Sequence, residues 1–338
     1  MDKPLQAAPA RGWLLRGIAA LVLACILVVL ALMWWWDYEP PHFDVVQSAQ
    51  ARATAKQQPL VVGSLTTATL MASVETLLDK RGGYLSNDRL PPGVLMDNVP
   101  NWEFGVLTAT RDLSRSLRNE LSRSQTQSVE DKDLQEADPL FSSPNDRWLL
   151  PSSESQYRKG LGHLDAYLTR LADADAGNAQ FYARADNLTD YLQVVSARLG
   201  SLSQRLSASV GQVRIDTDLA GDRNAQQAQP AASPRMVQTP WNLIDDNFYE
   251  ARGYTWALRE QLEAIRLDFA PVLHDKNAQI SLDQVIRELE ESQKPLGSPI
   301  VLNGTPFGFF ANHSLVMANY ISRANAAVID LGELLKRG

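Results

Sequence analysis

The residues best suited to chemistry lie between positions 82 and 103. The stretch GGYLSNDRLPPGVLMDNVPNWE is dense in Gly, Pro, Asn and Asp, yet it carries Tyr84, Leu85, Leu90, Val94, Leu95 and Met96. That composition predicts an ordered loop over residues 82–101 that packs its own apolar side chains and presents polar ones, which is how binding loops are often made. The presented set is Tyr84, Asn87, Asp88, Asp97 and Asn98. Trp102 with Glu103 adds an aromatic face beside an acid, a pairing suited to a sugar or a peptide. Each residue also has a structural role open to it: Asn and Asp satisfy backbone groups in turns, and a Trp heading an amphipathic helix anchors a core. A second candidate is Glu154-Ser155. A carboxylic acid there has the chemistry to protonate a glycosidic oxygen, although the helix dipole alone explains an acid in a first turn.

Other signatures are missing. His42, His163, His274 and His313 are far apart, and none has a second His or Cys at ligand spacing, so no metal site is expected. G-x-S-x-G, Ser-x-x-Lys, P-loop and G-x-G-x-x-G patterns are absent, so no catalytic residue and no cofactor is assigned.

Helices must position these candidates. Leu65, Leu70, Val74, Leu77 and Leu78 keep helical spacing; so do Trp102, Val106, Leu113, Leu117 and Leu121. Ser153-x-x-Gln156 has capping-box spacing ahead of Tyr157, Leu161, Leu164 and Leu168. The clearest stripe runs Phe181, Ala185, Leu188, Leu192, Val195, Leu199, Leu202 and Leu206. After Thr239-Pro240, Leu243, Phe248, Leu258, Leu262 and Ile265 continue the pattern, and Phe310, Leu315, Ile321, Val328 and Leu331 predict a last helix. Residues 125–146 read as a polar connector, and the best alternating strand candidate, 300–302, is too short for a sheet. The fold class is therefore all-α.

Residues 17–36, GIAALVLACILVVLALMWWW, contain no charge and no Pro. At about 1.5 Å per residue, roughly twenty such residues cross a hydrocarbon core of about 30 Å. Lys3, Arg11 and Arg16 precede the run, whereas Asp37, Glu39 and Asp44 follow it, so the N-terminus is expected in the cytoplasm. Trp13 on one side and Trp34, Trp35, Trp36 and Tyr38 on the other suit the two interfacial belts. A cleaved signal peptide would share the basic start, but its core is typically about 7–15 residues and ends at a small-x-small site. Here Trp residues close the run, and Ala49-Gln50-Ala51 lies too far downstream. Cys25, inside the run, is the only cysteine, so the exported part forms no internal disulfide.

The 338 residues carry a formal charge of −7; residues 1–36 hold +2 of it (Lys3, Arg11 and Arg16 against Asp2), which leaves −9 beyond the span. That balance, with no basic run, argues against a nucleic-acid partner. The expected organisation is a cytoplasmic N-terminus (1–16), a transmembrane helix (17–36), a periplasmic stalk (37–63), a first helical half (64–215), a flexible linker or excursion (216–239) and a second helical half (240–338). The halves resemble one another. From Gly105 and from Gly253, an Arg lies six residues on (Arg111, Arg259), an acid seven (Asp112, Glu260) and an aliphatic twelve (Leu117, Ile265). This predicts two related three-helix bundles whose Arg and acid residues form buried or half-buried pairs that set helix register.

Two resemblances bear on function. Glu154-Ser155 is similar to the Glu-Ser pair of lytic transglycosylases, but the Gly-Leu-Met-Gln element expected downstream is missing. GGYLSNDRLPPGVLMDNVPNWEFGVLTATRDLSRSLR, WLLPSSESQYRKGL and AQFYARADNL…ARLGSLSQRLSASVGQ, behind one N-terminal span, resemble the domain-of-unknown-function 2333 family of Gram-negative envelope proteins. That likeness covers nearly the whole chain outside the linker, implies an inner-membrane location and a single full-length family domain, and carries over no catalytic residue. The expectation is a single-pass inner-membrane protein whose periplasmic helical domain works without catalysis, as a binding, scaffold or accessory factor with an envelope protein partner and possible cell-wall contact. The alternative is a peptidoglycan-acting enzyme using Glu154 or Glu103.

Overall fold

Helix ends show why the chain turns where it does. In the computed structural model, which describes residues 10–123, 129–173, 179–214 and 235–337, Asp44 caps α2 (Val45–Lys56) by accepting from the Gln47 amide at 2.8 Å. Asp131 caps α5 (Lys132–Phe141), Ser152 caps α6 (Ser153–Leu171) and Asn312 caps α11 (His313–Lys336). Each occupies an amide that the first helical turn leaves without a partner. The others are α1 (Ala10–Trp36), α3 (Ser64–Asp79), α4 (Asn98–Ser116), α7 (Ala185–Ser207), α8 (Ile244–Asp268), α9 (Ala270–Asp275) and α10 (Gln279–Ser292). The fold is all-α. Its one strand pair among the described residues is the hairpin β1 (Gln212–Arg214) with β2 (Arg235–Val237).

Several boundaries differ from the sequence reading. The connector 125–146 contains α5, which keeps Pro139 inside because Leu134, Ala137 and Phe141 bury one face. The capping residue of α6 is Ser152, one place earlier than expected; Ser153 instead turns inward and donates to the Pro144 carbonyl at 2.8 Å. The last helix begins at His313, leaving Phe309 and Phe310 outside it and exposed. The linker 216–239 lies mostly outside the described residues, and its end, 235–237, pairs as β2.

Residues on both sides of that linker contribute to one hydrophobic core, from Leu70, Val106 and Leu113 through Leu199 to Leu258, Leu289 and Leu331. Its tightest seam is the crossing of α4 and α8. A Cβ added at Gly253 would lie 1.9 Å from the Trp102 carbonyl oxygen, and one at Gly105 would lie 2.1 Å from that of Glu250. The contacts are reciprocal in the numbering of the repeat, since Gly105 corresponds to Gly253 and Trp102 to Glu250. Beside them Trp102 packs on Trp256, ring centroids 5.3 Å apart. The repeated Arg and acid residues are engaged. Arg198 holds buried Asp112 at 2.8 and 3.1 Å, Arg111 donates to the carbonyls of Phe141 and Ser143, and Arg259 reaches Glu260 and Glu290. On the far side of the core α7 and α11 run antiparallel, with Ser203 donating to the Ala318 carbonyl and Gly200 facing Asn325.

Within α1, Trp13–Trp36 is long and apolar enough to cross a membrane, with mean hydropathy 2.8 and none of it buried.

Candidate functional site

The loop singled out by its composition is held from beneath by Glu103. This carboxylate is fully buried, accepts from the amides of Leu85 and Ser86 at 2.8 Å each and from the Ser86 hydroxyl at 2.5 Å, and pairs with the equally buried Lys80. Burial pushes the Glu103 carboxyl above its ordinary value, while the Lys80 charge and the three donors pull it back. Tyr84 donates to the Asn145 carbonyl at 3.0 Å, and burial, followed by the neighbouring Tyr157 and Glu103, drives its phenol far up. Asn87 donates to the Arg147 carbonyl and, at 2.6 Å, to Glu154. Asp88 lies tight against Gly93, where a Cβ would sit 1.9 Å from its carboxylate. Tyr84, Asn87 and Glu103, expected to present themselves to a ligand, are thus occupied in folding the loop and strapping it to residues 145–147, and Asp88 packs against Gly93.

The chain leaving α1 does not behave as a free stalk. Expected as a stalk, it docks on the helical domain, because its charged groups find buried partners. Glu39 takes a forked pair of bonds from Arg252, 2.6 to 3.0 Å, and Arg252 is 5% exposed. The same guanidinium donates to the carbonyls of Ser292, Gln293 and Lys294, groups that the end of α10 leaves free. Three residues on, His42 lies 2.5 Å from the buried Glu260 carboxylate and stacks on Trp256. Trp36 covers Gly82, and the Arg81 guanidinium sits 4.4 Å from the Trp35 ring and 4.0 Å from that of Tyr38. Val45 and Ala49 of α2 are buried as well.

This docking leaves a cleft of about 400 Å³ between residues 37–39 and the loop after α10, lined by Asp37, Glu39, Trp102, Tyr249, Arg252 and Leu296 among others. A pocket of about 180 Å³ with Phe248, His313 and Tyr320 shares Arg252 and Leu296 with it. Another of about 180 Å³ lies at the end of α1, between Met33 and Trp34 on one side and Leu95, Met96, Asp97 and Asn98 on the other. The electrostatics are acidic. Burial, then Glu39 and Asp97, raises the Asp37 carboxyl; burial, then the carboxylates of Glu39 and Asp37, pushes the Tyr249 phenol up to about 12. Burial lowers His313, whose Nδ1 accepts from the Leu302 amide at 3.0 Å, as a neutral ring does. With Arg252 and Glu39 engaged with each other, the cleft offers the Asp37 carboxylate and the aromatic faces of Trp102 and Tyr249, groups that can meet a cation.

Of the seven candidates from the sequence, Trp102 lines this cleft and Asp97 and Asn98 line the neighbouring pocket; the remaining four do not reach either. Asp37, Glu39, Tyr249 and Arg252 were missed. One signal was present: Arg252 interrupts a stretch, 251–258, that is buried on every side, and a buried guanidinium demands a carboxylate. Arg252→Ala should free the segment after α1 and fray the end of α10, costing about 3 kcal/mol, the low end for a broken buried pair because Glu39 retains contact with water. Chemical denaturation in detergent checks this; a midpoint matching the parent would contradict it.

Among the described residues no three His, Cys, Asp or Glu side chains converge as a metal-binding group. No curated protein and no solved structure matches the chain. A family model described as an uncharacterized protein conserved in bacteria, DUF2333, matches residues 9–338, which is nearly the full length and includes the whole apolar helix together with the docked segment and both helical halves. The chain belongs to the DUF2333 family of bacterial proteins.

Proposed function

We propose that this protein is a single-pass inner-membrane protein whose helical domain lies in the periplasm and works by binding. On this reading the juxtamembrane cleft receives a cationic segment of an envelope protein partner. The observation that carries the reading is the docking of the span's end: Trp35, Trp36, Glu39 and His42 are integral to the packing of the domain, so the apolar helix serves as a lasting anchor and not as a removable leader. The charge asymmetry across the span supports the orientation. Non-catalytic action is favoured by the state of the two acids considered for glycoside chemistry, since Glu103 is enclosed by its four partners and Glu154 is bonded to Asn87.

A photo-crosslinker at Pro299, on the cleft rim, tests this in cells. Adducts with an envelope protein should form there and not from Ile280, which is exposed at the start of α10. Equal labelling from both sites, or none from Pro299, would overturn the cleft as the binding surface.

A further inference from the structure

We propose that two loop apices, carrying Leu90, Val94 and Leu95 on one and Trp148, Leu149 and Leu150 on the other, form a foot that rests in the interfacial layer of the outer leaflet. The inference builds on the anchor proposed above and adds a second point of membrane contact.

All six side chains are exposed, Leu150 almost completely at 94%. The expected loop that buries its own apolar residues does so for Tyr84 and Leu85 only. Six large apolar side chains left in water on adjoining loops need an occupant, because monomeric proteins seldom expose such clusters without one. The apices are not loose: Tyr84, Asn87 and Arg89 donate to the carbonyls of Asn145, Arg147 and Asp146, so that one loop is strapped to the other.

Position decides what the occupant is. Leu95 and Met96 share a pocket with Met33 and Trp34 of the span, while Gly82, at the other end of the same loop, meets Trp36. Trp34, Trp35, Trp36 and Tyr38 make the aromatic belt that marks the interface. Met33 lies about 4.5 Å deeper than Trp36 along a helix rising about 1.5 Å per residue. A loop touching both is therefore already at interface depth whenever the helix spans a bilayer. Charge agrees. Although the chain beyond the span carries −9, and Asp37, Asp97 and Asp146 lie nearby, exposed Arg81, Arg89 and Arg147 stand beside the foot and can meet lipid phosphates. An apolar tip with guanidinium groups beside it suits a surface that lies on a membrane.

Spin labels test the foot in the full chain. In a Cys25→Ser background, Leu95→Cys, Leu149→Cys, Ile26→Cys and Ile280→Cys are nitroxide-labelled and reconstituted in nanodiscs of phosphatidylethanolamine and phosphatidylglycerol. All four positions are exposed on the protein surface, which spares the core, and unchanged helical circular dichroism verifies the fold. Ile280 lies past the far end of α8, a helix of 25 residues and about 37 Å, so it reports bulk water. Labels at Leu95 and Leu149 should show an oxygen-to-nickel accessibility ratio between those of Ile26 and Ile280. Values equal to Ile280, with Ile26 still in lipid, would overturn the foot and leave the anchor intact. A water-like ratio at Ile26 would remove the anchor and the foot together.

Discussion

Gly253→Ala should leave the domain unfolded, or less stable by about 3 kcal/mol or more, the top of the usual range for overpacking. The reason is the neighbour. The new methyl would lie 1.9 Å from the Trp102 carbonyl oxygen and 2.7 Å from its carbon, both backbone atoms of α4. A flexible side chain would move aside, but a helix backbone flanked by Trp102 against Trp256 cannot yield without parting the whole α4–α8 seam. Gly105→Ala should behave alike, because its methyl meets the Glu250 carbonyl at 2.1 Å. Gly162→Ala in α6 is the control: it has open space around it, and by helix propensity should be neutral or stabilising by up to about 1 kcal/mol. Circular dichroism through a denaturant series would show the contrast. Equal midpoints for Gly253→Ala and the parent would mean that the two helices do not cross at these glycines.

Glu103→Gln carries the second large effect. Lys80 and Glu103 are 2% and 0% exposed at their side chains, so neutralising the acid leaves an ammonium group buried beside an amide. Breaking a buried pair from one side costs about 3–5 kcal/mol. The amide also turns a donor toward the Leu85 or Ser86 amide, where the carboxylate accepted from both. Stability should fall accordingly, and the 82–97 loop should become the first site of proteolysis. Adding Lys80→Met should restore part of the loss, since the stranded charge is gone. A catalytic Glu103 would behave otherwise: the Gln variant would fold normally with only an activity removed.

Local pattern and distant pairing left different traces in the sequence. The stripes Trp102, Val106 and Leu113 in α4, and Leu188, Leu192, Val195 and Leu199 in α7, are buried as their spacing predicts, because periodicity is a property of neighbours along the chain. The apolar run that forms α1 was legible for the same reason. The glycines at the seam appeared as a repeat, yet nothing in their spacing says that each lies against the other's helix. Glu39 and Arg252 stand 213 residues apart, and His42 and Glu260 stand 218, so residues 37–63 looked like a tether. Asn87 looked available because its acceptor, the Arg147 carbonyl, lies 60 residues on. A loop rich in Asn and Asp reads alike whether those groups face a ligand or a second loop.

If the apolar helix stays attached and forms one unit with the domain, the intact mass of the C-terminally tagged chain, recovered from carbonate-washed membranes and from the soluble fraction of the same cells, will show it. A retained anchor predicts full-length chain, Cys25 included, in the membranes alone. A shorter chain in the soluble fraction, beginning beyond Trp36, would contradict it.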